Sequence, residues 1–583
     1  MCITHSSNVS SVYNVARCCP LFSLPVSDRA PARTLRHGGD GRARNEQPPT
    51  ILALLQVCPT AQMAIRHSWR GLRVQGPLCM TIVLTILTHA SGDGGPHQRV
   101  AVDAAAGITT MEPDPHDEAP SANALPASQQ PSSRPSSLPW QERLREAVDL
   151  SDFPKLVELT RKGVDGQKGM AAAALASLAT KAESQVAIAK AGGIEPLVTL
   201  ARSGTSAQKE NAARGLWNLA ANDDNQAAIA KAGGILPLVD LTRRGSDAQK
   251  EHAAAALSNL AVNNTDNQAA IKRLGGIKPL VALVRRGTDA QKKHASGALW
   301  NLAAHVDGQV AIAEAGGIEP LVALARGGTE AQKEYASGAL WDLAVHADNK
   351  LTISKAGGIG PLVTLARSGT DAQKKHASGA LWNLAALADN QLAIVKEGGI
   401  KPLVALARGG TDAQKDNAVA ALSNLATNAD NQLAIAKAGG IKPLVALVRR
   451  GSTATDAQKQ KAAVALRNLA AHADNKAAIA TAGGIEPFVT LARDGTDPQK
   501  LVAAAVLWSL AADRGNQVAI AKAGGIEPLV ALARSGQKAE AQFLGTYARG
   551  ALSNLAVNAA NRKAIAAAGG SFAVEGLIRN MRE

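Results

Sequence analysis

Cysteine is missing from most of this chain. The chain has 583 residues, and its five cysteines are Cys2, Cys18, Cys19, Cys58 and Cys79. No disulfide and no cysteine-ligated zinc site can therefore hold the remaining residues together. A reducing compartment is compatible with this distribution, but the distribution does not require it.

Aromatic residues and long hydrophobic runs are also scarce. Aromatics make up 3% of the residues and charged residues 19%, so a core has to be built from Ala, Leu, Val and Ile. The strongest apolar run, 78–87, is too short for a helix that spans a bilayer, which needs about 20 residues. We therefore expect no transmembrane segment in the region that follows it.

Lysine is absent from the first 150 residues, which hold 13 Arg and 12 acidic residues, and the remainder carries 50 basic and 36 acidic residues. A basic surface can attract nucleic acid, acidic lipids or acidic peptides. Many of these cations, however, fall in the last turns of predicted helices, where we expect them to complement the helix dipole and bond free carbonyls. Examples are Lys190, Lys231, Lys437, Lys522, Arg202, Arg367 and Arg534.

The composition divides the chain into three parts. Residues 1–110 are Arg-rich and predicted to be poorly ordered, 111–139 form a Pro/Ser-rich linker, and 140–583 carry a repeat. The first part is compatible with a transit-like presequence, a disordered tail or an overextended gene model. Segment 63–91 has the shape of a secretory signal. We expect the cytoplasm, with the nucleus, secretion and organellar targeting left open.

A glycine pair marks the repeat. Gly-Gly-Ile begins at 192, 233, 275, 316, 357, 398, 439, 483 and 524, and a Gly-Gly-Ser at 569, so the period is 41 to 45 residues. Such a period is typical of stacked repeats, and each unit predicts three helices. The first, near 430–439, begins at Asp and ends at Gly. The second, near 441–450, has Pro443 in its first turn, where the missing N–H costs nothing.

The third helix, for which 288–305 is the example, has a defined start and two different faces. Thr288 and Gln291 form a T-x-x-Q capping box. At about 100° per residue, the side that we expect to be buried holds Ala295, Ala298, Leu299 and Leu302. The opposite, polar side holds His294, Gly297, Asn301 and His305.

The order LWNLAA, DNQ, GGI and PLV within each unit closely resembles armadillo-repeat proteins of the catenin, vacuolar-scaffold and plant families. The resemblance covers 140–583. It implies an all-α fold, an armadillo-repeat right-handed superhelical solenoid of about ten three-helix repeats, whose third helices line a concave groove for extended peptides. Repeat one lacks the glycine pair and resembles an N-terminal cap, and 571–583 resembles a C-terminal cap.

In this family the peptide-binding residue is the third-helix Asn, whose amide can donate and accept at once. The matching positions here are Asn218, Asn259, Asn301, Asp342, Asn383, Asn424, Asn468 and Asn554. Asp342 can accept hydrogen bonds but cannot donate one, and repeat nine has Ser509, which carries no amide, at this position. The alternative is that these side chains cap or bridge neighbouring helices.

A tryptophan directly precedes the Asn position in five units. The five are Trp217, Trp300, Trp341, Trp382 and Trp508. Nuclear-import receptors carry their Trp four residues before the Asn, so this chain does not resemble an import receptor. Contact with a ligand and packing between adjacent third helices are both open for these residues.

Histidines fall on the same side as the Asn residues. They are His252, His294, His305, His346, His376 and His472. We assign His252, His294 and His376 to the groove and expect exposed imidazoles that titrate near the ordinary value of about 6.5. Their predicted separations, roughly 16 Å along one helix and about 8–10 Å between helices, are too long for a shared metal ion. We predict no metal site and no cofactor.

The sequence predicts a binding protein. It has no H-E-x-x-H, no G-x-S-x-G, no phosphate loop and no recurring carboxylate pair, so we predict no enzyme. We expect a monomeric scaffold or adaptor that binds extended peptide segments of partner proteins. The alternative is a nucleic-acid or acidic-lipid binder, which steep salt dependence would reveal.

Overall fold

The computed structural model describes residues 139–535 and 542–570. These residues form 31 α-helices, with no β-strand among them. None of the described helices is both long enough and apolar enough to cross a membrane. The expectations for 1–110, for the linker up to 138 and for the cap at 571–583 lie outside the described residues.

The helices follow one another in groups of three, which confirms the all-α solenoid of ten three-helix repeats. The first helices are α1 (Pro139–Asp149), α4 (Ala182–Lys190), α7 (Asp223–Lys231), α10 (Thr265–Arg273), α13 (Val306–Glu314), α16 (Ala347–Lys355), α19 (Ala388–Lys396), α22 (Ala429–Lys437), α25 (Ala473–Thr481) and α28 (Arg514–Lys522). The second helices are α2 (Phe153–Lys162), α5 (Ile194–Ser203), α8 (Ile235–Arg244), α11 (Ile277–Arg286), α14 (Ile318–Gly327), α17 (Ile359–Ser368), α20 (Ile400–Gly409), α23 (Ile441–Val448), α26 (Ile485–Asp494) and α29 (Ile526–Ser535). The third helices are α3 (Asp165–Leu178), α6 (Ser206–Leu219), α9 (Asp247–Leu260), α12 (Asp289–Leu302), α15 (Glu330–Leu343), α18 (Asp371–Leu384), α21 (Asp412–Leu425), α24 (Asp456–Leu469), α27 (Asp497–Ala511) and α30 (Gln542–Leu555). Helix α31 (Ala559–Ala567) follows the tenth repeat.

The capping box at the start of the third helix is confirmed, and it also joins repeats. The Gln291 backbone N–H donates to Thr288 Oγ1 at 3.3 Å, and the Thr288 N–H donates to Gln291 Oε1 at 3.2 Å. Gln291 Nε2 donates in addition to the Asp247 carbonyl of the preceding third helix at 2.9 Å. The same bond joins repeats one to eight through the glutamine column, which consists of Gln208, Gln249, Gln291, Gln332, Gln373, Gln414 and Gln458.

The glycine pairs end the first helices, and an arginine from the preceding repeat bonds to them. Gly316 has φ +71°, a left-handed conformation that favours glycine. The Arg285 guanidinium, at the end of the preceding second helix, donates to the Gly316 carbonyl at 3.1 Å. Arg534 bonds to Gly569 in the same way. For Arg534 the expectation of a bond to a free carbonyl of its own helix therefore needs correction, because the long side chain reaches the next repeat.

The core follows the predicted face of the third helix. Leu299, Ala295 and Ala298 are fully buried, and Leu302 is 3% exposed. Each third helix packs against the second helix of its own repeat and against the third helices on either side. The opposite face of each third helix therefore meets neighbouring third helices as well as solvent.

The joint between repeats eight and nine differs from the seven joints before it. Helix α23 ends at Val448, because Arg449 is extended and leads into a loop that, with 452–454, is three residues longer than the same loop of repeat four. Gln499 caps its own helix through Thr496, but among the described contacts its Nε2 makes no bond to Asp456. A cavity of about 260 Å³ opens here, lined in part by Arg450, Asp456 and Gln499.

Candidate functional site

The asparagine column bonds consecutive third helices. Asn301 Nδ2 donates to the Ser258 carbonyl of the preceding third helix at 3.0 Å, and Asn383 Nδ2 donates to the Trp341 carbonyl at 3.2 Å. The same bond is made by Asn218, Asn259, Asn424, Asn468 and Asn554. One donor hydrogen of each amide is thus directed at the protein backbone, as the bridging interpretation predicts.

These bonds leave the acceptor side of most amides available. Asn218, Asn301 and Asn383 are partly exposed, whereas Asn259 is 8% exposed. At repeat eight Asn468 is also 8% exposed, and the Arg467 guanidinium donates to its Oδ1 at 3.0 Å. The third-helix face therefore presents fixed amide oxygens, except where a neighbouring side chain already occupies them.

The tryptophans pack between third helices, most completely in the middle of the array. Trp300 is 9% exposed and Trp341 4%, while Trp508 is 39% exposed. Trp217 and Trp382 are partly buried. A Cβ added at Gly338 would lie 2.7 Å from Trp300 Cε2, so the glycine of the next repeat makes room for the ring.

Some of these rings reach two repeats along the chain. The Trp217 ring meets the His294 ring edge-on at 5.2 Å, and the Trp300 ring meets the His376 ring at 4.9 Å. The Lys461 ammonium lies 4.7 Å from the Trp382 ring centre, a cation–π distance. Lys461 also pairs with Asp416 at 2.7 Å. Third helices of repeats two to eight are thus connected beyond their nearest neighbours.

The histidines assigned to the groove are buried or, for His252, half-buried, so the expectation of exposed imidazoles is wrong for them. His294 is 4% exposed and His376 3%. Burial, followed by the charge of the adjacent lysine, lowers the pKa of His294 to about 3 and that of His376 to about 4. Burial and then the Arg214 charge lower the pKa of His252 to about 4. These three rings are packing elements that stay neutral at physiological pH.

The other three histidines lie where third helices lead into first helices. His305 and His472 are N-cap residues of α13 and α25. His472 Nδ1 accepts the Asp474 N–H at 3.2 Å. His346 is the N-cap residue of α16. Within 139–535 and 542–570, no three His, Cys, Asp or Glu side chains are grouped closely enough to hold a metal ion.

Asp342 is the exception in the asparagine column. It lies between Asn301 and Asn383 and is partly exposed. Burial raises the pKa of its carboxyl to about 7, while a hydrogen bond from Trp300 acts in the opposite direction. An ionised carboxylate has no hydrogen to donate to the preceding helix, so this position cannot make the bond that its neighbours make.

Two features of the site go beyond the sequence predictions, and the sequence contains a signal for the first of them. Trp300 and Trp341 are each followed 38 residues later by a glycine, Gly338 and Gly379, which is the residue that receives the ring. The Gln of every T-x-x-Q start was assigned to capping alone. Its second role, as a donor to the preceding repeat, could not be seen without the neighbouring helix.

Comparison with known proteins agrees with this architecture. Residues 182–221, 222–262, 346–386 and 388–427 match the model of the armadillo/beta-catenin-like repeat. An engineered protein of known crystal structure is 33% identical, with a TM-score of 0.61 over 69% of this chain and 98% of that one. A structure from work on the phosphorylation switch that controls the interaction between cadherin and beta-catenin is 18% identical, with a TM-score of 0.60 over 70% of this chain and 83% of that one. At that identity the likeness concerns the fold alone. No curated protein sequence matches the chain.

Proposed function

The chain belongs to the armadillo-repeat family, and from that premise we propose that it is a non-catalytic scaffold that binds extended segments of partner proteins along its third-helix face. The observation that carries this proposal is the asparagine column. Each amide is oriented by its bond to a backbone carbonyl, such as Asn301 to Ser258 and Asn383 to Trp341. A ligand therefore meets acceptors that need not be ordered on binding, which favours affinity.

The spacing of the column suits an extended peptide. Neighbouring packed helices are about 8–10 Å apart, and an extended chain advances about 3.3 Å per residue. One amide would therefore meet the peptide about every third residue. Backbone N–H groups of the ligand can bond to the amide oxygens whatever its side chains are.

Displayed peptides provide a direct test. A phage library of random twelve-residue peptides is panned on the full chain, and the affinity of a selected peptide is measured. Changing Asn301, Asn383 and Asn424 together to Ala should weaken binding, each lost side chain costing on the order of 1 kcal/mol. The control changes the exposed second-helix residues Lys278, Lys401 and Lys442 to Ala. Equal affinities of both triple variants for the peptide would refute the proposal.

We also propose that one chain forms the binding unit, that it needs no cofactor, and that it works in the cytoplasm. The third helices of one chain carry the whole asparagine column, which supports the first point. The nucleic-acid alternative is tested with a single-stranded oligonucleotide. It would be favoured if the chain binds the oligonucleotide, if the affinity falls steeply as salt is added, and if the Asn changes leave that affinity unchanged. Imaging of the tagged full chain tests the compartment.

A further inference from the structure

We propose that the partner segment carries a lysine or arginine side chain opposite repeat five, and that Asp342 binds this cation. The inference rests on the proposed function, because it names the ligand chemistry of the same face. It depends on one position, at which the chain places a carboxylate in a column otherwise made of amides.

The bonding at this position differs from that of its neighbours. Asn301 and Asn383 each donate to a carbonyl of the preceding third helix. Among the described contacts Asp342 makes no such bond, and the Trp300 side chain beside it lowers the pKa that burial raises. Its partly exposed carboxylate keeps acceptor capacity for a ligand, since two oxygens offer about four lone-pair sites.

No cation of the described residues pairs with this carboxylate. This face of α15 packs against α12 and α18. Apart from Asp342, the titratable side chains of these three helices all lie at 289–294, 330–335 and 371–376. Those closest to the column in sequence are Lys293, His294, Glu334, Tyr335, Lys375 and His376. None of them contributes to the pKa of Asp342, which burial and the Trp300 side chain determine. A partly buried carboxylate that lacks a cation is a ready site for one from a ligand.

Binding should therefore be linked to pH. With a pKa of about 7, Asp342 is part protonated near neutrality. An ammonium or guanidinium group beside it favours the ionised form, so complex formation releases a proton. From pH 6 to pH 8 the ionised fraction rises from about 0.09 to about 0.91. Affinity for a basic peptide should rise about tenfold over this range.

Asp342→Asn is the matched variant, because the chain itself has Asn at this place in seven repeats. The phage library of twelve-residue peptides is panned on the wild-type chain and on Asp342→Asn. Peptides selected on the wild type should share a Lys or Arg at one position, and those selected on the variant should lack it. A selected basic peptide should lose its tenfold pH dependence on the variant and bind it more weakly.

A second variant should gain a cation site, where Asp342→Asn should lose one. Asn383→Asp puts a carboxylate at the next repeat and should add a second preferred basic position, about three residues along the peptide. The cation site is refuted if wild type and Asp342→Asn select the same peptides, or if the affinity of the wild type does not change with pH. A library that yields no binder on any of these chains would refute the groove itself and this inference with it.

Discussion

At the scale of single residues, the third-helix face depends on which residue the next repeat places beside each ring. Trp300 is nearly buried because position 338 has no side chain. His376 is buried because it lies under the same ring, from a helix two repeats away. Spacing within one helix could predict that Asn301 and His294 share a side. It could not predict that this side is largely covered, since the residues that cover it come from other repeats.

Gly338 tests this packing. In Gly338→Ala the new Cβ would lie 2.7 Å from Trp300 Cε2, and such overpacking costs about 1–3 kcal/mol. Gly327 is the control, because its Cβ would meet nothing within 4 Å, and Ala there should gain about 0.5–1 kcal/mol. Hydrogen exchange in α12 and α15 reports the local stability. Similar exchange rates for the two variants would mean that the ring is free to move aside.

The buried histidines predict a loss of stability in acid. The pKa of His376 falls to about 4 in the folded chain from an ordinary 6.5, so between these values the unfolded state binds more protons. Stability then decreases as pH falls, by on the order of 2 kcal/mol for this one group from pH 7.5 to 5. The variant His376→Asn introduces the residue that repeat seven has at this position, Asn417. Its melting temperature should differ less between pH 7.5 and pH 5 than that of the wild type. The raised pKa of Asp342 stabilises the fold in acid, but both chains keep this residue and its effect cancels in the comparison. If the two chains lose equal stability between pH 7.5 and 5, the His376 ring is not the neutral buried group described here.

At the scale of helices, the sequence was most informative where a boundary has its own chemistry. The capping boxes and the glycine pairs predicted helix starts and ends to within one to three residues: the third helix expected over 288–305 spans Asp289–Leu302. The second helix expected over 441–450 ends two residues early, at Val448, and here the cause lies outside the helix. An insertion in the following loop redirected Arg449, which donates to Ala482 instead of to a glycine of the pair. Nothing in the residues of the helix itself signalled that change.

The same insertion offers a test of the glutamine column. Removing 452–454 turns VRRGSTATDAQ into VRRGTDAQ, the sequence found at 284–291. We expect Gln499 Nε2 then to donate to the Asp456 carbonyl as the other glutamines do, adding on the order of 1 kcal/mol. Hydrogen exchange in α24 and α27 should slow. Replacing 452–454 by three glycines keeps the loop length and serves as the control. If the shortened chain exchanges no more slowly than the control, loop length is not what opens this joint.

At the scale of the whole molecule, the period and the resemblance predicted the architecture, whereas the couplings between repeats had to be observed. In a repeat array, stability is approximately a sum of repeat terms and nearest-neighbour interfaces. The contacts of Trp217 with His294 and of Trp300 with His376 extend the coupling to the second neighbour. Two repeats can therefore pack well as neighbours only if the second places a small residue, Gly or Ala, beside the tryptophan ring of the first. The packing of their helices alone does not decide it.

Two deletions of equal length separate the contribution of helix packing from that of the residue beside the tryptophan ring. Removing 357–397 takes out one unit and brings Trp341 opposite Ala420, and Asn417 into the place of His376. Removing 398–438 brings Trp382 opposite Val464, whose larger side chain competes for the volume of the ring. Both chains should remain helical by circular dichroism, because the remaining repeats keep their own cores. The second should unfold at a lower urea concentration than the first. Equal midpoints would mean that any two repeats of this chain can be joined, and that the glycines and alanines opposite the tryptophans do not determine their order.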